Sequence, residues 1–268
     1  MKRLDKEIQD IVVIGSGNVA YHLICAFTGI GISVSQIYSR NEKTAALLSG
    51  KFGIPYIGDP NLLNRNAGLY ILAVQDSNIR EAAISLNLED HLLVHTSGFS
   101  PLGILEGTAA FTGVIWPVQT LTSGKDTDYR SIPIFTEGSC NETRIMLKNL
   151  AGRISHKVVL TDTPTRQRVH LAAVISSNLV NHLYSVSASI LESVNLPFDI
   201  LRPLIHETAI KATAALPSDA QTGPAARHDM EVIRQHLEML RDNPLQRDIY
   251  QLITNSILNS GPDKHEKL

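Results

Sequence analysis

The sequence predicts an α/β protein: a doubly wound, mostly parallel sheet followed by an all-helical C-terminal domain. Three observations predict it. An apolar β-branched run at 11–14 breaks at Gly15 and passes directly into a helical pattern carrying Tyr21, Leu23, Ile24 and Phe27. Short apolar runs and helical stretches then alternate as far as about residue 160, which is how parallel strands joined by crossover helices read. Beyond that point no convincing strand occurs, and prolines at 197, 203, 217, 224 and 244 punctuate helical stretches. The expected domains are therefore 1–160 and 161–268.

The first turn is the most informative stretch. Residues 15–20 read Gly-Ser-Gly-Asn-Val-Ala. Gly15 can take the backbone angles of a tight turn, and Gly17 has no side chain to hold a pyrophosphate away from the backbone. Ala20 still allows close helix–strand packing. The N–H groups at the start of the helix would then face phosphates. A second apolar run at 32–38 follows at the spacing a Rossmann β-α-β unit requires.

The remaining elements follow in order. A helix is expected at 42–50 and a short strand at 54–57. A buried strand at 69–74 ends at Gln75 and Asp76, with Ser77 or Asn78 capping a helix at 79–86. Strands at 92–95 and 113–116 end at Thr96-Ser97-Gly98 and at Pro117. Strands at 132–135 and 157–160 flank a helix at 142–150. The second domain opens with a long helix from a cap at 161–164 to about 194, followed by helices at 198–214, 229–240 and 245–258.

In such sheets ligands bind at the carboxyl ends of the strands. The candidate cofactor residues are therefore Gly15, Ser16, Gly17, Asn18 and Val19, then Ser39, Arg40 and Asn41, then Val74, Gln75 and Asp76, then Thr96 and Ser97. An NAD site calls for an acid after the second strand. Ser39-Arg40-Asn41 instead suits a 2′-phosphate, which a guanidinium can grip with two parallel hydrogen bonds, so the cofactor expected is NADP(H). The bland reading of Arg40 is a solvated surface side chain.

Composition bounds the rest. The chain has 268 residues, 43% hydrophobic, with a net charge of −2 and scattered Lys and Arg, so no nucleic-acid surface is expected. Cys25 and Cys140 lack metal-ligand spacing, which predicts no metal site, no structural disulfide and a reducing compartment. The charged N-terminus has no hydrophobic signal region and no window is apolar enough to span a membrane, so a cytoplasmic location is expected. Residues 261–268 are polar and expected to fray.

Two constellations could carry chemistry. On the long helix His170, Val174, Asn178 and His182 recur every four residues, with Arg166 and Asn181 nearby. His170 or Asn178 either hydrogen-bonds substrate or nicotinamide or is a satisfied core or dimer-interface group. The second constellation is the run 221–229, Gln-Thr-Gly-Pro-Ala-Ala-Arg-His-Asp. Asp229, and earlier Thr222, could cap helices. A rigid turn with Arg227 and His228 suits an anionic substrate such as a carboxylate; the alternative is a capped connector whose Arg pairs with a neighbouring acid. Candidate proton partners are His95, Ser97, His170 and His228.

The chain resembles a two-domain family that joins a Rossmann-like NADP oxidoreductase domain to a helical C-terminal domain and has no established substrate. Pyrroline-5-carboxylate reductase and the deazaflavin-dependent NADP oxidoreductases are its relatives. The matching stretches are 15–20, Ala-Val-Gln-Asp at 73–76, His-Thr-Ser-Gly at 95–98, Trp-Pro-Val-Gln-Thr at 116–120, His-Leu-Ala-Ala-Val at 170–174, Asn178 and 222–229. The resemblance implies NADP binding by the first domain and a homodimer through the helical one. Two departures matter. Trp116 stands where many members carry histidine. The more distant β-hydroxyacid dehydrogenases carry a lysine four residues before the asparagine, where this chain has Val174, so their mechanism does not transfer.

The function expected is an NADP-dependent oxidoreductase acting on a small anionic metabolite of the imino or keto acid class. His170, Asn178, Ser97, Arg227 and His228 are the candidate catalytic residues. The alternatives are a non-catalytic NADP-sensing protein and a dimeric partner in a larger assembly.

Overall fold

The computed structural model describes residues 8–260, so the expectations for the first seven residues and for 261–268 lie outside it. Eight strands form one sheet. In chain order they are β1 (Asp10–Ile14), β2 (Ser33–Tyr38), β3 (Tyr56–Ile57), β4 (Leu69–Leu72), β5 (Leu88–His95), β6 (Ala109–Pro117), β7 (Ile134–Gly138) and β8 (Val158–Leu160). The sheet order is β3-β2-β1-β4-β5-β6-β7-β8. All neighbours are parallel except β6 and β7, which run antiparallel. Helices α1 (Asn18–Thr28), α2 (Glu42–Phe52), α3 (Ile79–Leu86) and α4 (Asn141–Ile154) join the strands.

Strand β1 shows why the sheet forms. Ile11 and Val13 enter one core with α1 and α4, including Ile24, Phe27 and Leu147. Val12 and Ile14 enter the other core with Ile79, Ala83 and Leu86 of α3. Alternate residues of a strand face opposite ways, so a run buried on both faces reads as continuously apolar. From β1 the chain winds outward to β3, then returns to β4 on the other side of β1. The end of β1 is therefore the point where the winding reverses and where a crevice opens.

Several expected boundaries shift. β5 begins at Leu88 and β6 at Ala109, each four residues before the expected start, because the pairing of Leu88 with Ala109 extends the ladder. Of the two expected caps of α3, Asn78 stands at the N-cap position, at the end of a 3-10 turn, Asp76–Asn78, but makes no side-chain cap bond. Cys25 packs against the core from a half-buried position, and Cys25 and Cys140 are both free thiols.

The chain divides into two compact units, residues 1–178 and 179–268. The division falls 18 residues after the expected boundary. Helix α5 (Thr163–Val174) belongs with the sheet and leads into a π-helical turn, Ile175–Leu179. Asp162 caps α5 by accepting from the Thr165 N–H at 2.9 Å. Arg166 explains where α5 belongs: it is fully buried and bonded into the sheet unit, as detailed below.

The second unit contains α6 (Val180–Glu192), α7 (Arg202–Ala214), α8 (Met230–Met239) and α9 (Pro244–Leu258). Asp229 caps α8 through the Val232 N–H at 3.2 Å. Thr222 caps nothing, because residues 224–228 form a turn rather than a helix. His236 of α8 and Tyr250 of α9 share a hydrogen bond of 2.8 Å. Many apolar side chains of this unit stand in solvent, with Leu204, Leu216 and Leu252 more than 60% exposed.

Candidate active site

The first half of the site is a cleft of about 510 Å³ at the end of β1, between the ends of β2 and β4 and helix α3. Gly15 makes the turn. Its φ is +115°, and a Cβ there would lie 2.8 Å from the Ala73 carbonyl carbon, so only glycine fits. Its N–H donates to the Tyr38 carbonyl at 2.8 Å, and the Ala73 N–H donates to the Ile14 carbonyl at 2.7 Å, locking the three strand ends together. At Gly17 a Cβ would meet nothing within 4 Å. The space over it is open, as a ligand approaching the backbone needs. Gly17 is also the N-cap of α1 and supplies no side-chain cap, so the helix's first N–H groups meet no capping oxygen from it. Buried Ala20 lets α1 sit close on the sheet.

Across the cleft lies a cluster of hydroxyls. Ser16 Oγ is 2.8 Å from Ser39 Oγ and 2.5 Å from Thr44 Oγ1. The Asn41 N–H donates to Ser39 Oγ, and the Asn41 side chain caps α2 through the Thr44 N–H. Arg40 reaches over the mouth to Glu81 of α3, Nη1 to Oε1 2.7 Å. Of the expected cofactor residues, Gly15, Ser16, Gly17, Ser39, Arg40, Asn41, Val74 and Gln75 line this one cleft. Asn18 turns its amide oxygen to the loop after β6, accepting from Ser123 N–H at 3.0 Å and Ser123 Oγ at 2.7 Å. Val19 packs against the core and does not line the cleft.

Asp76, Thr96 and Ser97 do other work. Ser97 Oγ donates to Asp76 Oδ2 at 2.7 Å and accepts from the N–H groups of Phe99 and Ser100. That hydroxyl builds the turn after β5, and its proton is engaged. Thr96 Oγ1 donates to the Leu72 carbonyl at 3.2 Å. His95 is fully buried. Its Nδ1 accepts from the Ser97 N–H at 3.2 Å, so Nε2 carries the proton. Burial, reinforced by the nearby Arg166 charge, pushes its imidazole down to about 3. It is neutral at physiological pH and is removed from the candidate proton partners.

The second half of the site is built on the turn at Gly98. A Cβ there would meet His170 Cδ2 at 2.5 Å and Trp116 Cε2 at 2.6 Å, so the backbone lies directly under both rings. The His170 ring centroid is 5.7 Å from Trp116 and 6.0 Å from Phe99. Trp116 is buried, Phe99 is mostly exposed and His170 lies between. The helix holding His170 is fixed by Arg166. Its guanidinium donates to Glu137 Oε2 at 3.0 and 3.2 Å and to the Ser97 and Ser100 carbonyls at 2.8 Å each. Thr163 donates to the other Glu137 oxygen at 2.8 Å. Arg166, Glu137, Phe99 and Glu81 had no assigned part in the sequence reading. Arg166 alone carried a signal, as a charge one turn before His170.

Asn178 is exposed in the π-helical turn. Arg227 and His228 are exposed in the second unit, in the turn where Gly223 has φ +104° and His228 φ +53°. Arg227 makes no ion pair among the described residues. No group of three or more metal-ligating side chains occurs among them, and no described helix is long and apolar enough to cross a membrane.

A cradle closed to any side chain at Gly15, open above Gly17 and ringed by hydroxyls and a guanidinium fits a phosphorylated dinucleotide. Residues 10–97 match the family model of NADP oxidoreductase, coenzyme F420-dependent. Residues 132–257 match a domain of unknown function, DUF2520. The crystal structure named "putative NADP oxidoreductase BF3122" from Bacteroides fragilis is 39% identical, over 94% of this chain and 98% of that one, with a TM-score of 0.88. The chain belongs to this NADP oxidoreductase family. A pyrroline-5-carboxylate reductase from Coxiella burnetii shares the fold at 13% identity and TM-score 0.58, over 94% of this chain and 97% of that one. An imine reductase from Myxococcus stipitatus, in complex with NADP+, does so at 12% and 0.63, over 93% of each chain. No curated protein matches the chain. This family member is thus an oxidoreductase with NADP as cofactor.

Proposed function

We propose that this NADP oxidoreductase interconverts the C=N or C=O bond of a small anionic metabolite, of the imino or keto acid class, with its reduced form. The cofactor supplies or takes the hydride. The protein orients the partners, excludes water and handles one proton. Gly15 and Gly17 admit the pyrophosphate to the α1 N-terminus, and Ser39, Arg40 and Thr44 receive the adenosine end with its 2′-phosphate. The observation that carries the reading is the wall of His170, Trp116 and Phe99 over Gly98, which stands on the strand ends next to the cradle. Trp116 and Phe99 offer flat apolar surface. His170 is the proton-handling residue, since its ring nitrogens have no hydrogen-bond partner among the described residues, while the Ser97 hydroxyl is engaged and burial holds His95 neutral.

The test is NADPH oxidation, and NADP+ reduction, across a panel of cyclic imines, imino acids and keto acids, repeated with His170→Phe. Turnover that falls at least about 100-fold in the variant, with NADPH affinity kept, supports the reading. Tight NADPH binding with no turnover in either direction across the panel would favour the sensor instead. The apolar side chains exposed on the second unit support a homodimer through it. Sedimentation as a monomer at micromolar concentration would exclude that.

A further inference from the structure

The ion pair at the cleft mouth joins two opposed chemistries on one patch. Arg40 comes from the end of β2 and Glu81 from the first turn of α3, 41 residues later. Both line the cofactor cleft. Their side chains are 63% and 68% exposed, so the pair is wet, weakly held and easily opened. Behind them stand the mutually bonded hydroxyls of Ser16, Ser39 and Thr44. The far ribose of a dinucleotide would meet a cation on one side and an anion on the other.

We propose that Glu81 is a specificity-determining residue, setting the ratio of NADPH to NADH affinity by competing for Arg40. This rests on the reading that the cleft takes the adenosine end of the cofactor. A 2′-phosphate is the stronger partner for the guanidinium, since it offers more charge and a matching fork of oxygens. To bind it, Arg40 must leave Glu81 or share its donors, and the carboxylate is left close to a dianion. A ribose that carries only hydroxyls asks for the reverse. Glu81 can accept from the 2′-hydroxyl, the role an acid after the second strand fills in NAD sites, while Arg40 stays paired. Glu81 therefore works against the phosphorylated cofactor and for the other one.

The experiment is calorimetric binding of NADPH and NADH to the full chain, wild type, Glu81→Gln and Arg40→Gln, at low and high salt. Glu81→Gln is expected to tighten NADPH about 3- to 10-fold, with NADH unchanged or weakened, and the gain is expected to shrink at high salt. Arg40→Gln is expected to weaken NADPH about 10-fold or more and leave NADH nearly unaffected. Equal changes for both cofactors in Glu81→Gln, or none for either, would overturn the role given to Glu81. Failure of the wild-type chain to bind either cofactor would instead remove the dinucleotide reading of the cleft, and the proposal with it.

Discussion

The guanidinium of Arg166 sits in no solvent at all, and Glu137 is what makes that tolerable. The perturbation is Glu137→Gln, which keeps the shape and removes the charge. Arg166 is fully buried and the Glu137 side chain is 11% exposed. Two N–H groups meet Oε2 at 3.0 and 3.2 Å. A pair at 3 Å in a medium of effective dielectric about 20 is worth roughly 5 kcal/mol before desolvation, and losing one buried partner costs about 3–5 kcal/mol. Glu137→Gln is therefore expected to destabilise the sheet unit by about 3–4 kcal/mol. Arg166→Met should cost a similar amount, because it strands the carboxylate and frees the Ser97 and Ser100 carbonyls. The double variant should lose less than the sum by about 2 kcal/mol or more, since each single change leaves a charge that the other removes. Equilibrium urea unfolding followed by circular dichroism measures all three, with the two units fitted as separate transitions. A Glu137→Gln cost below about 1 kcal/mol, or single costs that simply add, would refute the reasoning.

Two further predictions follow from the same neighbourhood. His95 titrates at about 3 in the fold because burial, and then Arg166, disfavour its cation, against about 6.5 unfolded. Its contribution is full above pH 6.5 and is lost as pH falls towards 3, worth up to about 5 kcal/mol across that window. Unfolding free energies at stepped pH should fall less steeply for His95→Asn than for wild type, and matching slopes would contradict this. Gly98→Ala puts a methyl within 2.5–2.7 Å of His170 and Trp116. It should cost about 1–3 kcal/mol of stability and at least about 100-fold in turnover, with little change in NADPH affinity. Steady-state kinetics beside calorimetry would check it, and unchanged turnover would mean the rings are not a wall of the site.

What could be read from the sequence was what local chemistry determines. Gly15 announces its turn because no other residue tolerates that conformation beside Ala73. Asp162 and Asp229 announce their helices because capping acts over three residues. The cleft residues at 15–17 and 39–41 were legible because a β-α-β unit fixes where two strand ends meet. The antiparallel direction of β7 was not, since an apolar strand reads the same both ways. Nor was the place of α5: Arg166 looks like any helix-surface arginine until Glu137, 29 residues earlier, arrives beside it. Glu81 was hidden for the same reason. The acid paired with Arg40 at the cleft mouth comes from a different crossover than the one where acids are sought.

Trp116 is the chain's single tryptophan. It lies under 10% exposed, against Gly98 and within 6 Å, centroid to centroid, of His170. Its fluorescence therefore comes from one place, and that place is the candidate hydride-transfer wall. No label or engineered probe is needed to watch ligands arrive there. An indole in this setting is quenched when a nicotinamide or a protonated imidazole comes into contact, and it shifts in wavelength when water enters. The protein's own emission thus comes from beside Gly98 and His170, and no tryptophan lines the cleft at Gly15 and Gly17.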